Sequence, residues 1–125
     1  SEMCKKGNIL VVDDQSGIRM LLQEFFTQNG WAVSVASNGL KGLELIQEQH
    51  FDFAFIDMKM PVMDGVTFIE HMVKQKRQIP TILMTAFGEV ELASKALGLG
   101  VIEVIPKPFD LNELLNRVEK HCICS

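Results

Sequence analysis

The chain has 125 residues, of which 47% are hydrophobic and 22% are charged, and its formal net charge at pH 7 is -4. This length and composition exclude a disordered or fibrous chain and predict one domain with a single sizeable core, spanning residues 1–125. The acidic balance argues against nucleic acid as a partner, because nucleic-acid-binding surfaces are basic. No apolar run reaches the roughly 20 residues that a membrane-spanning helix needs, so we expect no membrane partner.

The three cysteines, Cys4, Cys122 and Cys124, lie at the two ends of the chain. An odd number confined to the termini predicts no disulfide framework. The N-terminus leads into a strand without the apolar region of a signal peptide, so we expect a reduced, cytoplasmic setting. Cys122, Cys124 and His121 offer three ligands, which is fewer than the four of a structural zinc site, so we predict no metal there.

Short apolar runs alternate with stretches of helical apolar spacing along the chain. The runs are rich in β-branched and aromatic residues, which is typical of strands covered on both faces. Predicted strands occupy residues 9–12, 32–36, 53–57, 80–85 and 101–105. Predicted helices cover about residues 15–28, 40–46, 65–76, 89–97 and 111–118.

Local signals refine the ends of these elements. Asp14 is expected to cap the first helix and Asp110 the last, because a carboxylate can accept from the N–H groups exposed at a helix N-terminus. Pro80 suits the first position of its strand, since proline cannot donate to the sheet. The inward stripe of the second helix is expected at Leu40, Leu43 and Ile46.

The alternation predicts an α/β fold, a doubly wound parallel sheet with helices on both faces. Right-handed crossovers bring the carboxyl ends of all strands to one edge, where open α/β sheets place their chemistry. The side chains predicted to meet at this edge are Asp13, Asp14, Asp57, Thr85 and Lys107.

This set of side chains suits phosphoryl transfer. Converging carboxylates need a divalent cation, and their oxygens suit Mg²⁺ or Mn²⁺. Lys107 adds a compact positive charge and Thr85 a hydroxyl donor, so Asp57 on the central strand becomes the predicted nucleophile. Each residue alone also has a structural interpretation, as a helix cap, a solvated turn lysine or a strand end.

The same positions carry a family resemblance over essentially the whole chain. The motifs are Val12-Asp13-Asp14, residues 57–61 with Asp64-Gly65, Thr85-Ala86, and Lys107-Pro108-Phe109. Together they resemble the receiver domain of bacterial two-component response regulators. The resemblance implies a flavodoxin-like (CheY-like) sheet of five parallel strands in the order 2-1-3-4-5, with five helices.

The resemblance also implies roles for individual residues. Asp57 would accept a phosphoryl group from a sensor histidine kinase, in a protein that is not an enzyme but assists its own phosphorylation and dephosphorylation. Mg²⁺, or Mn²⁺, would be held by Asp13, Asp14, Asp57 and the backbone carbonyl of Lys59. Thr85 and Lys107 would contact the phosphoryl oxygens, and the Lys107–Pro108 bond would be cis.

A narrower resemblance, carried by residues 12–19, 57–59 and 84–89, is to single-domain regulators of the sporulation phosphorelay of endospore-forming bacteria. It implies onward transfer to a histidine phosphotransferase in sporulation initiation, and we expect a monomer. For Ile18 and Leu21 the helical spacing also predicts core positions. The implied partner surface is Gln15, Gly17, Ile18, Leu21, Gly88, Pro108 and Phe109.

Four positions depart from the pattern or qualify it. Val104 stands where many receivers have an aromatic residue, so an aromatic rotamer switch is not expected. Ser16 replaces an aromatic residue of the sporulation relatives, which changes one expected kinase contact. We hypothesise that the bulk of Lys59 and Phe87 beside the site hinders attacking water and prolongs the aspartyl phosphate.

Other classes fit the residues less well. A haloacid-dehalogenase-type phosphatase needs a second aspartate where Lys59 stands, and Asp13 and Asp14 would repel the phosphate of a flavin. A pseudo-receiver is not expected, since every active-site residue type is present. A receiver module excised from a DNA-binding response regulator stays open as the alternative.

Overall fold

The computed structural model describes residues 6–86 and 88–122, without the side chains of Val90 and Leu92. The strands are β1 (Asn8–Val12), β2 (Ala32–Ala36), β3 (Phe53–Asp57), β4 (Thr81–Thr85) and β5 (Val101–Pro106). The helices are α1 (Ser16–Gln28), α2 (Gly39–Glu48), α3 (Gly65–Lys74), α4 (Val90–Ala96) and α5 (Leu111–Lys120), with a short 3₁₀ helix at Leu97–Leu99. The predicted alternation of five strands and five helices is confirmed.

All strand pairs are parallel, and the order is β2-β1-β3-β4-β5, as the resemblance implied. β3 lies at the centre, with Ile56 beside Val12 of β1 and Asp57 beside Met84 of β4. On the other side of β4, Thr85 pairs with Pro106 of β5. The strand ends therefore align along one edge and carry the predicted acidic, hydroxyl and lysine side chains.

Alternate residues of the central strands supply two separate cores, one on each face of the sheet. On one face Leu10, Ala54 and Leu83 join a cluster with apolar residues of α2, α3 and α4. On the other face Phe55 and Met84 pack with residues of α1 and α5. Because both faces are covered, these strands read as continuous apolar runs in the sequence.

The second helix shows why a predicted core residue lies outside. Gly42 faces the sheet, where an added Cβ would lie 2.9 Å from a methyl carbon of Val12 and 2.8 Å from the ring of Phe68. The buried positions of α2 are Gly39, Gly42 and Ile46. Leu40 is 58% exposed, so its predicted inward position is wrong.

Several predicted boundaries also shift. Asp14 does not cap α1, whose N-cap is Gln15 and receives no side-chain cap bond from the described residues. Pro80 precedes β4 rather than starting it, although its carbonyl accepts from the N–H of Ala54. The α3 helix ends at Lys74, two residues earlier than predicted, and Lys76 takes a positive φ of 58°. The α4 helix ends at Ala96 and passes into the 3₁₀ turn.

Two local predictions near the last helix are confirmed. A side-chain oxygen of Asp110 accepts from the N–H of Glu113 at 3.1 Å and caps α5. The Lys107–Pro108 peptide bond is cis.

The prediction that the cysteines form no disulfide framework does not hold for Cys122, which is disulfide-bonded. The two ends of the fold lie side by side, since the Lys6 ammonium is 3.3 Å from the carboxylate of Glu119 on α5. Cys4 and Cys124 lie outside the described residues. Among residues 6–86 and 88–122, no helix is both long and apolar enough to cross a membrane.

Candidate functional site

Three carboxylates converge at the carboxyl edge of the sheet. Asp13 and Asp14 follow β1, Asp57 ends β3, and one oxygen of each lies within 4.8 Å of the others. Asp13 is fully buried, Asp57 is 6% exposed and Asp14 is open to solvent. The predicted meeting of the three carboxylates is confirmed.

Lys107 inserts its ammonium group into this cluster. The nitrogen lies 2.8 Å from a carboxylate oxygen of Asp13 and 3.2 Å from one of Asp57. It also donates to the side-chain oxygen of Gln15 at 3.3 Å. A lysine on the turn after β5 therefore links the loop after β1 to the end of β3, which excludes the solvated-turn interpretation.

The first loop is held by bonds to both parts of Asp13. One carboxylate oxygen of Asp13 accepts from the N–H of Gln15 at 2.9 Å. The carbonyl of Asp13 accepts from the guanidinium of Arg19 on α1 at 2.9 Å. Asp13 is thus fixed, while Asp14, which was expected to cap the helix, directs its carboxylate toward the cluster instead.

The electrostatics of the cluster oppose ionisation of Asp57. Burial, and next the negative charge of Asp13, raise the pKa of Asp57 to about 6, although Lys107 partly offsets them. Burial lowers the pKa of Lys107, but its hydrogen bond to Asp13 and the charges of Asp13 and Asp57 more than offset this effect. The net pKa of Lys107 is therefore raised. Positive charge near the site therefore favours the ionised form of its carboxylates.

Thr85 brings a buried hydroxyl to the same edge. Its residue is fully buried, and its oxygen has no hydrogen-bond partner among the described residues. The backbone of Thr85 is satisfied, since its carbonyl accepts from the N–H of Lys107 at 2.7 Å. A buried hydroxyl without a partner costs stability, and such groups often mark a place where a ligand binds.

The loop after Asp57 is anchored at its far end. A side-chain oxygen of Asp64 accepts from the N–H of Thr67 at 2.8 Å and caps α3. The N–H of Gly65 donates to the carbonyl of Met58 at 2.8 Å. Within this loop Val62 has a φ of 72° and is 98% exposed, a left-handed conformation that β-branched residues rarely adopt.

Glu89 is a site-adjacent residue that the sequence analysis missed. Its carboxylate is buried, accepts from the N–H of Ala86 at 2.8 Å and lies 4.0 Å from the ammonium of Lys59. A glutamate at the start of a predicted helix gives no sign of burial, so only its spacing of four residues from Thr85 could have drawn attention to it. Phe87, the other residue proposed to shield the site, lies outside the described residues.

The predicted partner surface lies on loops at this edge and on α1. Gln15, Gly17, Gly88 and Pro108 are exposed. Leu21 is 43% exposed. The remaining two residues, Ile18 and Phe109, are partly buried against the core. Leu21 thus faces solvent rather than the core, and its neighbour Met20 is also exposed.

The residues present fit a divalent cation. Three carboxylate oxygens lie within 4.8 Å of one another, and Asp14 leaves the cluster open to solvent. Burial, and next the negative charge of Asp13, raise the pKa of Asp57 even with Lys107 in place, and a bound cation would oppose both effects. Oxygen ligands of this kind suit Mg²⁺ or Mn²⁺.

A family model decides the classification. Residues 9–119 match the response regulator receiver domain. The chain belongs to this family. The resemblance stated from the motifs is confirmed.

Relatives of two lengths match this receiver domain. It is 39% identical over 113 residues to sporulation initiation phosphotransferase F of Bacillus subtilis (strain 168), covering 90% of this chain and 91% of that protein. It is 33% identical over 116 residues to the DNA-binding transcriptional regulator NtrC of Proteus hauseri, covering 93% of this chain but 24% of that protein.

Solved structures agree with the fold. A response regulator receiver domain protein from Clostridium thermocellum matches with a TM-score of 0.85 and 28% identity, covering 91% of this chain and 92% of that one. The receiver domain of a Francisella response regulator matches with a TM-score of 0.82 and 32% identity, covering 89% and 92%. The predicted CheY-like fold is confirmed.

Proposed function

We propose that this receiver domain accepts a phosphoryl group on Asp57 from a phosphohistidine of a sensor histidine kinase. The observation that carries the proposal is the contact of 3.2 Å between Asp57 and the ammonium of Lys107 inside a cluster of carboxylates. A fixed cation beside a buried carboxylate suits a group that must bear extra negative charge. The domain is a phosphoacceptor that assists its own phosphorylation and dephosphorylation, not an enzyme acting on other substrates.

In this proposal a carboxylate oxygen of Asp57 attacks phosphorus, the bond from phosphorus to the histidine nitrogen breaks, and that nitrogen keeps the electron pair. Lys107 neutralises the phosphoryl oxygens as they arrive. The hydroxyl of Thr85, which has no partner among the described residues, donates to one of them. These roles use the ammonium that already contacts Asp57 and the buried hydroxyl that has no partner among the described residues.

Mg²⁺, with Mn²⁺ as a substitute, is the proposed cofactor. Asp13, Asp14 and Asp57 would hold it through carboxylate oxygens, and Lys59 through its backbone carbonyl. When bound, the cation supplies positive charge that polarises the phosphoryl oxygens. The loop after β1 positions the proposed ligands Asp13 and Asp14.

The proposed downstream partner is a histidine phosphotransferase, in a phosphorelay that starts sporulation. The 39% identity to sporulation initiation phosphotransferase F, over nearly the full length of that protein, supports this relay. Both partners would dock on the exposed loops and on α1 around the site. We further propose a cytoplasmic monomer.

The persistence of the phosphate is proposed to depend on Lys59. Its side chain is 82% exposed and lies on the loop directly after Asp57, where it can obstruct water. Phosphate loss from the isolated protein tests this idea. A Lys59→Asn variant that loses phosphate no faster than wild type would remove its support.

The alternative function is a receiver module of a DNA-binding response regulator. The matches to NtrC proteins, of which this chain spans about a quarter, favour it. The two functions differ in the direction of phosphoryl flow after Asp57. A relay protein passes its label to a histidine phosphotransferase, whereas an effector receiver keeps the label until hydrolysis.

One experiment tests the proposed function. The protein is incubated with Mg²⁺ and a labelled, phosphorylated sensor kinase or histidine phosphotransferase. We expect wild type to take the label and Asp57→Ala to take none. Asp52→Asn is a matched control, because Asp52 lies at the opposite end of β3 and the amide oxygen still accepts from Asn8. Absence of transfer to wild type, or equal transfer to Asp57→Ala, would refute the mechanism.

A further inference from the structure

Glu89 is a buried ionisable residue that the proposed chemistry does not use. It is 7% exposed and stands at the N-cap of α4, yet its side chain makes no capping bond within the described residues. Its carboxylate instead turns back to the N–H of Ala86 at 2.8 Å. A buried carboxylate is costly unless it is hydrogen-bonded or paired, so this placement calls for a reason.

The two oxygens of Glu89 connect two different loops. One oxygen accepts from Ala86, the residue after Thr85, and the other lies 4.0 Å from the ammonium of Lys59. Lys59 follows Asp57 by two residues, and β3 and β4 are neighbours with Asp57 beside Met84. Glu89 therefore connects the loop after β3, which follows Asp57, to the loop after β4, which follows Thr85.

The ammonium of Lys59 can pair with either of two anions at this edge of the sheet, namely the carboxylate of Glu89 or a phosphoryl group on Asp57. With Asp57 unmodified, Glu89 lies near it and Lys107 already neutralises part of the charge on Asp57. A phosphoryl group on Asp57, two residues before Lys59, would add roughly two negative charges and strong acceptor oxygens. Lys59 is 82% exposed, so its side chain is free to swing between the two anions.

We propose that Glu89 is a positioning residue that shortens the lifetime of the aspartyl phosphate by holding the ammonium of Lys59 away from the phosphoryl group. This inference rests on the proposed function of Asp57 and on the proposed shielding by Lys59. Removing the charge of Glu89 releases Lys59 to cover the phosphoryl group and exclude water. Since one partner is exposed, we expect a change of about two- to five-fold in lifetime.

Glu89→Gln is the informative substitution. The amide oxygen of glutamine still accepts from the N–H of Ala86, so the loop after β4 keeps its bond while the attraction to Lys59 is lost. Asp57 is phosphorylated with phosphoramidate, a small donor that needs no protein partner, and loss of label is followed over time. Glu91→Gln, an exposed glutamate in the first turn of α4, is the matched control.

The expected result is a lifetime about two- to five-fold longer in Glu89→Gln and unchanged in Glu91→Gln. In a Lys59→Asn background, Glu89→Gln should have no effect, because the ammonium that it controls is gone. A merely structural role of Glu89 would alter both backgrounds equally. An unchanged lifetime in Glu89→Gln, or the same change in both backgrounds, would overturn the inference.

The outcomes separate this inference from the function beneath it. If wild type takes no label on Asp57, the proposed function fails; if wild type is labelled and Glu89→Gln decays like wild type, only the role of Glu89 fails. Should Glu89→Gln not fold, Glu89→Asp gives a second test with charge kept and reach shortened. With Lys59 present, Glu89→Asp should lengthen the lifetime of the aspartyl phosphate. In the Lys59→Asn background it should leave that lifetime unchanged, and any other pattern counts against the inference.

Discussion

The ammonium nitrogen of Lys107 lies 3.2 Å from a carboxylate oxygen of Asp57 and closer still, at 2.8 Å, to Asp13. The ammonium of Lys107 is thus shared between the two carboxylates, and its contact with Asp57 is the longer of the two. Burial, and next the negative charge of Asp13, raise the pKa of Asp57 to about 6 although this lysine lies at contact distance. The carboxylate of Asp57, the proposed phosphoacceptor, is therefore sensitive to pH, to cations and to its charged neighbours in the cluster.

The first prediction concerns pH. The pKa of Asp57 is about 6 in the folded protein, against an ordinary value of 3.8, so the native state binds more protons between these values. The contribution of Asp57 to the free energy of unfolding therefore falls as pH rises through this window and stays low above it. With a chelator present, Asp57→Asn should be more stable than wild type by about 2 kcal/mol at neutral pH.

Chemical denaturation across the pH range measures this difference. It should shrink toward zero as the pH approaches the ordinary pKa of 3.8. Asp52→Asn, away from the cluster, is the control. A stability gain of Asp57→Asn that does not vary with pH would contradict the assigned pKa.

A second prediction concerns the shared cation. Lys107→Met leaves Asp13 and Asp57 without their ammonium partner, so the free energy of unfolding should fall by about 3 kcal/mol. Lys74→Met, an exposed lysine in the last turn of α3, should change it by less than about 0.5 kcal/mol. Thermal unfolding in a chelator gives both values. Added Mg²⁺ should stabilise Lys107→Met more than wild type, and equal stabilisation would argue against cation binding by the cluster.

Two threonines of β4 make a matched pair for a third prediction. The hydroxyl of Thr85 has no hydrogen-bond partner among the described residues, whereas the equally buried Thr81 donates to the carbonyl of Ile79 at 2.8 Å. Thr85→Val should leave stability unchanged or raise it by about 1 kcal/mol, and Thr81→Val should lower it by a similar amount. Urea denaturation compares the two variants.

Phosphorylation should show the reverse order. Thr85→Val should slow labelling of Asp57 by phosphoramidate, since one donor to the phosphoryl oxygens is lost, and Thr81→Val should not. A Thr85→Val variant that is destabilised and still labels normally would make Thr85 a structural residue.

The exposed loop after β3 carries a fourth prediction. Val62 holds a φ of 72° with 98% of its surface exposed, so its backbone is strained and its side chain gains little from packing. Asparagine tolerates this conformation, and Val62→Asn should raise the free energy of unfolding by about 1 kcal/mol. Val62→Ala retains the penalty for a Cβ at positive φ and should gain less. If the two variants are equally stable, the backbone at Val62 is unstrained.

The strand ends could be predicted from sequence because parallel topology leaves little freedom. Once five apolar runs alternate with five helices, the carboxyl ends must share one edge, and Asp13, Asp57 and Thr85 follow from their positions alone. The meeting with Lys107 needed one further step, that the turn after β5 folds over the first loop. The cis bond and the strand order came from family resemblance rather than from periodicity.

Side-chain directions were less accessible. Asp14 looks like a helix cap, but its carboxylate joins the acidic cluster. The apolar spacing of α2 places Leu40 on the inward stripe, but Gly42 is the residue that approaches Phe68 closely. Glu89 is buried by a bond to a loop residue that no periodic pattern encodes. In each case the decision is made by a contact between segments, which local sequence does not contain.

The hydrogen atom in place of a side chain at Gly65 has a consequence for how the phosphoacceptor is held. A Cβ there would lie 2.5 Å from the backbone oxygen of Asp57 itself. The first turn of α3 therefore rests directly on the main chain of the phosphoacceptor, and any larger residue would push the two apart. The strand end and the helix start are in direct contact, so the proposed phosphorylation of Asp57 would leave movement to the seven residues between them and to the side chains that they carry.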